Sequence, residues 1–131
     1  MNRYLGSRNG ATLNPNITTF LTRGEIANGP RPELCVFMDI HEDYLDNCDY
    51  AISWDINRES FYSLPASRHG GRGVLSFTDG HAEIHRWRDA RTLQPVTGLH
   101  ASALASFGSA DWRYVYQLTT KDQGADPTHE W

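Results

Sequence analysis

The sequence predicts an α+β domain in which a small antiparallel β-sheet with long loops is followed by a C-terminal helix. The 131 residues include 11 Gly and 6 Pro, which favours short elements joined by turns. Two apolar segments meet at Asp79-Gly80, a dipeptide typical of β-hairpins, and a helical apolar repeat follows Ser109. The length and the hydrophobic content of 39% fit one domain over residues 1–131 with a modest core.

The first half of the chain alternates between polar loops and short apolar segments. Residues 1–32 are polar and rich in Asn, Gly and Pro, so we expect an irregular, partly packed N-terminal arm. A buried strand is predicted within 34–40, where β-branched and aromatic residues are concentrated. After an acidic loop, alternation over 50–56 predicts a second strand. The segment 58–73 has too much Gly for a regular element and predicts a mobile or tightly turned connection.

The clearest local signal is the hairpin over residues 74–87. Asp79-Gly80 suits a two-residue type I′ loop, which pairs Thr78 with His81. In this register, one face of the hairpin is apolar and consists of Leu75, Phe77, Ala82 and Ile84. The opposite face is polar and consists of Ser76, Thr78, His81, Glu83, His85 and Trp87.

The C-terminal helix is predicted from a cap and a periodic apolar face. Ser109 suits the N-cap position and Asp111 the first turn, where a carboxylate is favoured. Apolar and polar residues then follow at helical spacing: Trp112, Val115, Tyr116 and Thr119. We expect about three turns that end before Gly124.

Charge and composition exclude several function classes. The net charge is −4 and the basic residues are scattered, so we expect no nucleic-acid binding. No apolar run approaches the length of a membrane span, and the start of the chain has no signal-peptide pattern. Cys35 and Cys48 lack the spacing of a zinc ribbon or a redox motif. Either a short disulfide loop or two unpaired thiols fits this pair.

Several separated motifs resemble one known family. His69 precedes Asp79-Gly80 by an interval of nine residues. The acidic segment 37–43, the segment 86–92 after the hairpin and the helix start 111–117 also follow in the family's order. On these motifs the chain is similar to the prepilin-type processing-associated H-X9-DG domain, of the planctomycete and verrucomicrobial type.

The resemblance implies the C-terminal globular part of a pseudopilin-like protein without the long N-terminal helix. It implies an extracytoplasmic location, at the periplasm or cell surface, and a non-catalytic role beside other pilin-like subunits or secretion proteins. A homodimer is a further hypothesis, through an apolar surface left by the missing helix. Type II pseudopilins hold calcium in a carboxylate-rich loop, so the resemblance also suggests a calcium site at Asp39, Glu42, Asp43, Asp46 and Asp49. A solvated acidic loop is the alternative.

The histidines of the hairpin support a different hypothesis, a metal-dependent hydrolase. His81, Glu83 and His85 recur at every second position of one strand, so they share a face and suit a transition metal such as zinc. If His69 or Asp79 completed the ligand set, a metal-bound water could attack an ester, lactone or amide. The structural alternative is that Asp79 forms the turn, His69 closes the Gly-rich loop and the strand face is ordinary polar surface.

Overall fold

The computed structural model describes residues 2, 22–27, 33–46, 49–53 and 58–119, and it confirms the predicted α+β class. The elements in chain order are α1 (Arg23–Ala27), β1 (Cys35–Met38), a 3₁₀ turn (Glu42–Tyr44), β2 (Ser60–Phe61), the distorted turn α2 (Arg68–Gly71), β3 (Arg72–Phe77), β4 (Ala82–Arg86), β5 (Leu104–Ala105) and α3 (Ala110–Thr119). None of the helices in these ranges is long and apolar enough to cross a bilayer.

Two small antiparallel sheets organise the described residues. The larger sheet has the order β1-β3-β4, so the hairpin β3-β4 is extended on one side by β1. The smaller sheet pairs β2 with β5. The predicted first strand is confirmed as β1, and a bulge interrupts its pairing with β3 between Cys35 and Phe37. The predicted hairpin and C-terminal helix are also present, and Ser109 Oγ accepts the Trp112 N–H at 3.3 Å as an N-cap should.

The predicted second strand is only partly present. Within 49–53 the backbone makes single bridges, from Tyr50 to Asn2 and from Ile52 to Phe61, rather than a ladder. Residues 54–56 of that prediction lie outside the described residues. Most of the N-terminal arm also lies outside them. Of the arm residues that are described, 23–27 form the short helix α1, and Asn2 is fully buried.

The connection 58–73 contains more regular structure than its glycines suggested. It contributes β2 and the start of β3, and between them α2 forms a tight turn with His69 and Gly70 in the left-handed region. Gly73 lies within β3, where an added Cβ would come within 2.8 Å of the Ala66 carbonyl oxygen and 3.0 Å of the Trp87 ring. The strand therefore needs glycine for a close approach, which is a recognised reason for Gly inside a sheet.

The core lies between the larger sheet and α3. Trp112 is fully buried on the helix, and its indole N–H donates to the Ser60 carbonyl at 2.9 Å. The other core residues are Cys35, Met38, Tyr44, Tyr50, Ile52, Phe61, Leu64, Leu75, Phe77, Trp87, Val115 and Leu118. Cys35 is a free cysteine whose burial raises the pKa of its thiol, whereas Cys48 lies outside the described residues. Cys35 is thus a core residue.

Candidate functional site

The hairpin turn places Asp79 and Gly80 differently from the predicted two-residue loop. The Phe77 N–H donates to the His81 carbonyl at 3.0 Å, so Thr78, Asp79 and Gly80 form a three-residue loop. Gly80 has φ 97°, and the Asp79 backbone is not left-handed, as expected for a type I turn followed by a glycine bulge. Asp79 Oδ1 accepts the His81 N–H at 3.0 Å, and this bond lowers the pKa of the Asp79 carboxyl.

This loop shifts the register by one residue and overturns the predicted faces. Leu75 pairs with Glu83 and Val74 with Ile84, whereas a two-residue loop would pair Leu75 with Ile84. Because side chains alternate along a strand, a one-residue shift moves every side chain of β4 to the other face. The predicted apolar face is therefore wrong: Ile84 is 68% exposed and lies with Val74 on the outside.

The inner face of β4 carries His81, Glu83, His85 and Trp87. These four share a face as predicted, but Ser76 and Thr78 do not belong to it. From Glu83 to Trp87 this face points to the core and α3, whereas His81 is exposed. Trp87 is 2% exposed and donates its indole N–H to the Ala66 carbonyl at 2.8 Å. The polar row thus ends at a buried core residue, Trp87.

Each titratable side chain of this row has a packing partner. The His85 ring stacks on Tyr114 with centroids 3.9 Å apart, and burial lowers the pKa of His85. Glu83 accepts a hydrogen bond from the Tyr114 hydroxyl. These two contacts fasten α3 to β4. They also occupy groups that a metal would have to recruit.

His81 lies at the exposed end of the row and forms a different group. Its ring stacks on Phe77 with centroids 4.3 Å apart, and its Nδ1 lies 2.6 Å from Asp79 Oδ1. Among the residues that the structure describes, one set of three or more His, Cys, Asp or Glu brings ligand atoms within 4.8 Å of one another: Glu33, Asp79 and His81. All three are exposed. Asp79 and His81 were predicted as candidate ligands, but Glu33 was not.

His69 lies in α2 and does not join this set. Its backbone is left-handed, with φ 58° and ψ 45°, which is uncommon for a residue other than glycine. Its carbonyl accepts a bond from the Arg72 guanidinium at 3.3 Å, and its side chain is exposed. In the described ranges the imidazole has no hydrogen-bond partner, so the geometry uses the backbone of His69 rather than its ring.

The acidic stretch is divided among several partners. Arg68 bridges two of the five predicted calcium ligands, with contacts of 2.5 Å to Asp39 and 2.8 Å to Glu42. The Arg68 guanidinium lowers the pKa of Glu42, and the two carboxylates raise the pKa of Arg68. This bridge joins the end of β1 to the turn α2.

Asp43 is the most strongly bonded carboxylate of the stretch. Its oxygens accept the Thr97 N–H at 2.8 Å, the Thr97 hydroxyl at 2.7 Å and the Gly98 N–H at 2.9 Å. The Thr97 bonds are the main cause that lowers the pKa of Asp43. Its own carbonyl accepts the Ala101 N–H at 2.7 Å. Asp43 therefore holds the loop 97–101 against the 3₁₀ turn.

The two remaining carboxylates of the acidic stretch are Asp46 and Asp49. Asp46 is exposed and lies 3.8 Å from His100 Nε2, while Asp49 is half-buried. None of the described members of the stretch belongs to the group whose ligand atoms converge. Four of the five side chains are thus divided in space: Asp39 and Glu42 contact Arg68, whereas Asp43 and Asp46 contact the loop 97–101.

Two buried carboxylates outside the predicted sites hold the loops together. Asp111 is 2% exposed and accepts the backbone N–H groups of Arg88 and Asp89 at 2.9 to 3.1 Å. Glu59 is 4% exposed, pairs with Arg113 at 3.1 Å and accepts the Gly108 N–H. The helical cap rule located Asp111, but no local pattern marks partners more than 20 residues away.

Comparison with known proteins gives no match to any family model, curated protein or solved structure.

Proposed function

We propose that this chain is a non-catalytic, extracytoplasmic globular domain of a prepilin-like surface or secretion protein. The main support comes from the roles of the two motif residues, His69 and Asp79. His69 supplies a left-handed backbone in a tight turn, and Asp79 accepts a backbone hydrogen bond in the hairpin loop. Both roles are structural, as expected for a motif that specifies how the chain turns before and after β3.

The contacts of the polar strand face support the same proposal. His85 and Glu83 pack against Tyr114, and Trp87 is buried beneath the turn before β3. A hydrolase would need several of these groups to converge on an open coordination position. A domain that presents a surface to other subunits needs only that the sheet and α3 remain rigidly joined.

The location and the role are tested together in cells that carry the native gene. External protease applied to intact cells or spheroplasts should degrade this protein while a cytoplasmic marker survives. Crosslinking in the same cells should join it to other pilin-like subunits. Protection from the protease as complete as that of the marker would refute the extracytoplasmic location.

Several of the predicted calcium ligands already have partners in the folded chain. An ion at the predicted ligands would have to displace Arg68 from Asp39 and Glu42, and would compete with the backbone donors that Asp43 already accepts. We therefore expect calcium to leave the melting temperature unchanged relative to chelator, both in the native protein and in Arg68→Gln. A calcium-dependent rise that appears only in Arg68→Gln would reveal a latent site that Arg68 blocks.

One observation favours the second candidate, a metal-dependent hydrolase. Glu33, Asp79 and His81 bring three oxygen and nitrogen ligand atoms within 4.8 Å, which suits zinc with a position left for water. Zinc titration by calorimetry tests it, followed by ester, lactone and amide hydrolysis with and without chelator. The matched control for His81→Ala is His100→Ala, because His100 is also exposed and is outside the group. Zinc-dependent turnover lost only in His81→Ala would replace the non-catalytic proposal.

A further inference from the structure

β4 is an edge of the larger sheet. The His81 carbonyl accepts the Phe77 N–H, and the Trp87 N–H donates to the Gly71 carbonyl, so odd-numbered residues of this segment face β3. By the two-residue period, Ala82, Ile84 and Arg86 direct their backbone groups away from β3. No strand among the described residues pairs with that edge. Its N–H and C=O groups are a template for another strand.

An exposed apolar stripe on the outer face of the sheet reaches this edge. It consists of Phe37, Val74, Ala82 and Ile84. Ile84 is 68% exposed, Phe37 57% and Val74 41%. Val74 lies directly opposite Ile84, and Ser76 pairs with both Phe37 and Ala82, so the stripe runs across all three strands. Single exposed apolar residues are ordinary, but a stripe that reaches an unpaired edge is typical of an interaction surface.

We propose that β4 pairs antiparallel with β4 of a second copy of this chain, around a twofold axis at Ile84. The sequence Ala82-Glu83-Ile84-His85-Arg86 is self-complementary in this register. Ile84 meets Ile84 of the second copy, Ala82 meets Arg86, and Glu83 meets His85. A centre moved by one residue would instead place Glu83 opposite Glu83, which like charges disfavour, or His85 opposite His85, which loses the pairing of a carboxylate with an imidazole.

The backbone geometry selects the same centre. Ile84 is one of the residues whose N–H and C=O point outward, so it forms a hydrogen-bonded pair with its symmetry mate, and Ala82 with Arg86 form two more. The result is a continuous six-stranded sheet with one isologous contact, the usual arrangement of a homodimer. The self-complementarity is what distinguishes a second copy from an unrelated strand.

The contact is small, and this determines how the dimer behaves. Five residues of one strand and the adjoining stripe fall below the roughly 1,200 Å² of a standard interface. We therefore expect a reversible dimer with a dissociation constant in the micromolar to millimolar range, on the order of 10⁻⁵ to 10⁻³ M.

Sedimentation velocity of the full chain, from about 10 µM to about 1 mM, tests the proposal. The native protein should shift from monomer towards dimer over this range, and Ile84→Lys should remain monomeric because it places two like charges at the axis. The matched control is Leu99→Lys, since Leu99 is 75% exposed but lies in a loop outside the sheet, and it should dimerise normally. A native protein that stays monomeric, or an Ile84→Lys protein that dimerises as well as the control, overturns the proposal.

A crosslinking variant gives a second readout if Ile84→Lys folds poorly. Residues in a hydrogen-bonded antiparallel pair have Cα atoms about 5.5 Å apart, which suits a disulfide. Ile84→Cys should form an interchain disulfide under mild oxidation at least tenfold faster than Leu99→Cys. Equal rates would place the contact elsewhere and overturn the proposed register.

Discussion

Replacing His69 by glycine tests whether the first motif residue acts through its backbone. At φ 58° and ψ 45°, an L-residue costs about 1 to 2 kcal/mol, which glycine avoids. Glycine gives back about 0.5 to 1 kcal/mol through the greater entropy of the unfolded chain. The net expectation for His69→Gly is an increase in unfolding free energy of about 0.5 kcal/mol. For a chain of this size, that is a rise of roughly 2 °C in melting temperature.

The size series His69→Gly, His69→Asn and His69→Val makes the test sharper. Asparagine tolerates the left-handed region and should stay near the native stability, whereas β-branched valine should lose about 1 to 3 kcal/mol. Thermal and urea unfolding measure all three. If glycine and asparagine both destabilise the protein as much as valine does, the imidazole makes an interaction that the backbone explanation lacks, and the structural interpretation of the motif is wrong.

Three further predictions concern the groups that hold the loops. Gly73→Ala should lower stability by about 1 to 3 kcal/mol in urea unfolding, because its Cβ would lie 2.8 Å from the Ala66 oxygen; unchanged stability would disprove the close approach. Asp111→Ala should cost about 3 kcal/mol, because buried backbone N–H groups lose a charged acceptor; a loss below about 1 kcal/mol would mean that water replaces it. The pKa of Asp43 is lowered in the folded state, so its contribution is present above its ordinary pKa and is lost as pH falls below about 4. Melting temperatures between about pH 2 and 6 should therefore fall less steeply in Asp43→Asn than in the native protein, and parallel curves would contradict this.

The elements that the sequence predicted correctly are those with local signals. An apolar β-branched run marks β1, Asp79-Gly80 marks the hairpin, and Ser109 marks the start of α3. Each signal works within a few residues, since capping and turn formation are local. The short strands β2 and β5 carry no such signal, because two paired residues are too few for a periodicity.

The five acidic residues are neighbours in sequence, but their contacts in space are made with distant parts of the chain. Neighbours in sequence suggested one calcium site, but Asp39 and Glu42 contact Arg68, which is 29 and 26 residues away. Asp43 contacts Thr97, which is 54 residues away. Such partners depend on how the strands associate, and one sequence has no pattern that specifies them. A calcium ion at these residues would have to compete with these partners, and the melting temperatures of the native protein and of Arg68→Gln test this.

The register of the hairpin could not be chosen from the turn alone. Asp-Gly fits a two-residue loop and also the last two positions of a three-residue loop with a glycine bulge. Burial decides between them, because the two-residue loop would bury Ile84 and expose Trp87. An aromatic side chain such as Trp87 buries about 150 to 250 Å², and this ring also finds an acceptor in the Ala66 carbonyl. The observed register therefore exposes the aliphatic side chain of Ile84 and buries the larger side chain of Trp87, which is hydrogen-bonded.

That choice affects the hydrolase hypothesis and the proposed dimer together. With Trp87 inside, His85 and Glu83 must follow it inward, where they meet Tyr114 and lose the open face that a catalytic metal requires. The same alternation turns Ile84 outward beside an unpaired strand edge. The register that turns His85 and Glu83 away from a catalytic metal thus also creates the surface on which a second copy can pair. Zinc catalysis at His85 would require the His85 face of β4 to point to solvent, whereas dimerisation through Ile84 requires the Ile84 face to point to solvent. These two faces of one strand point in opposite directions, so a single fold cannot satisfy both.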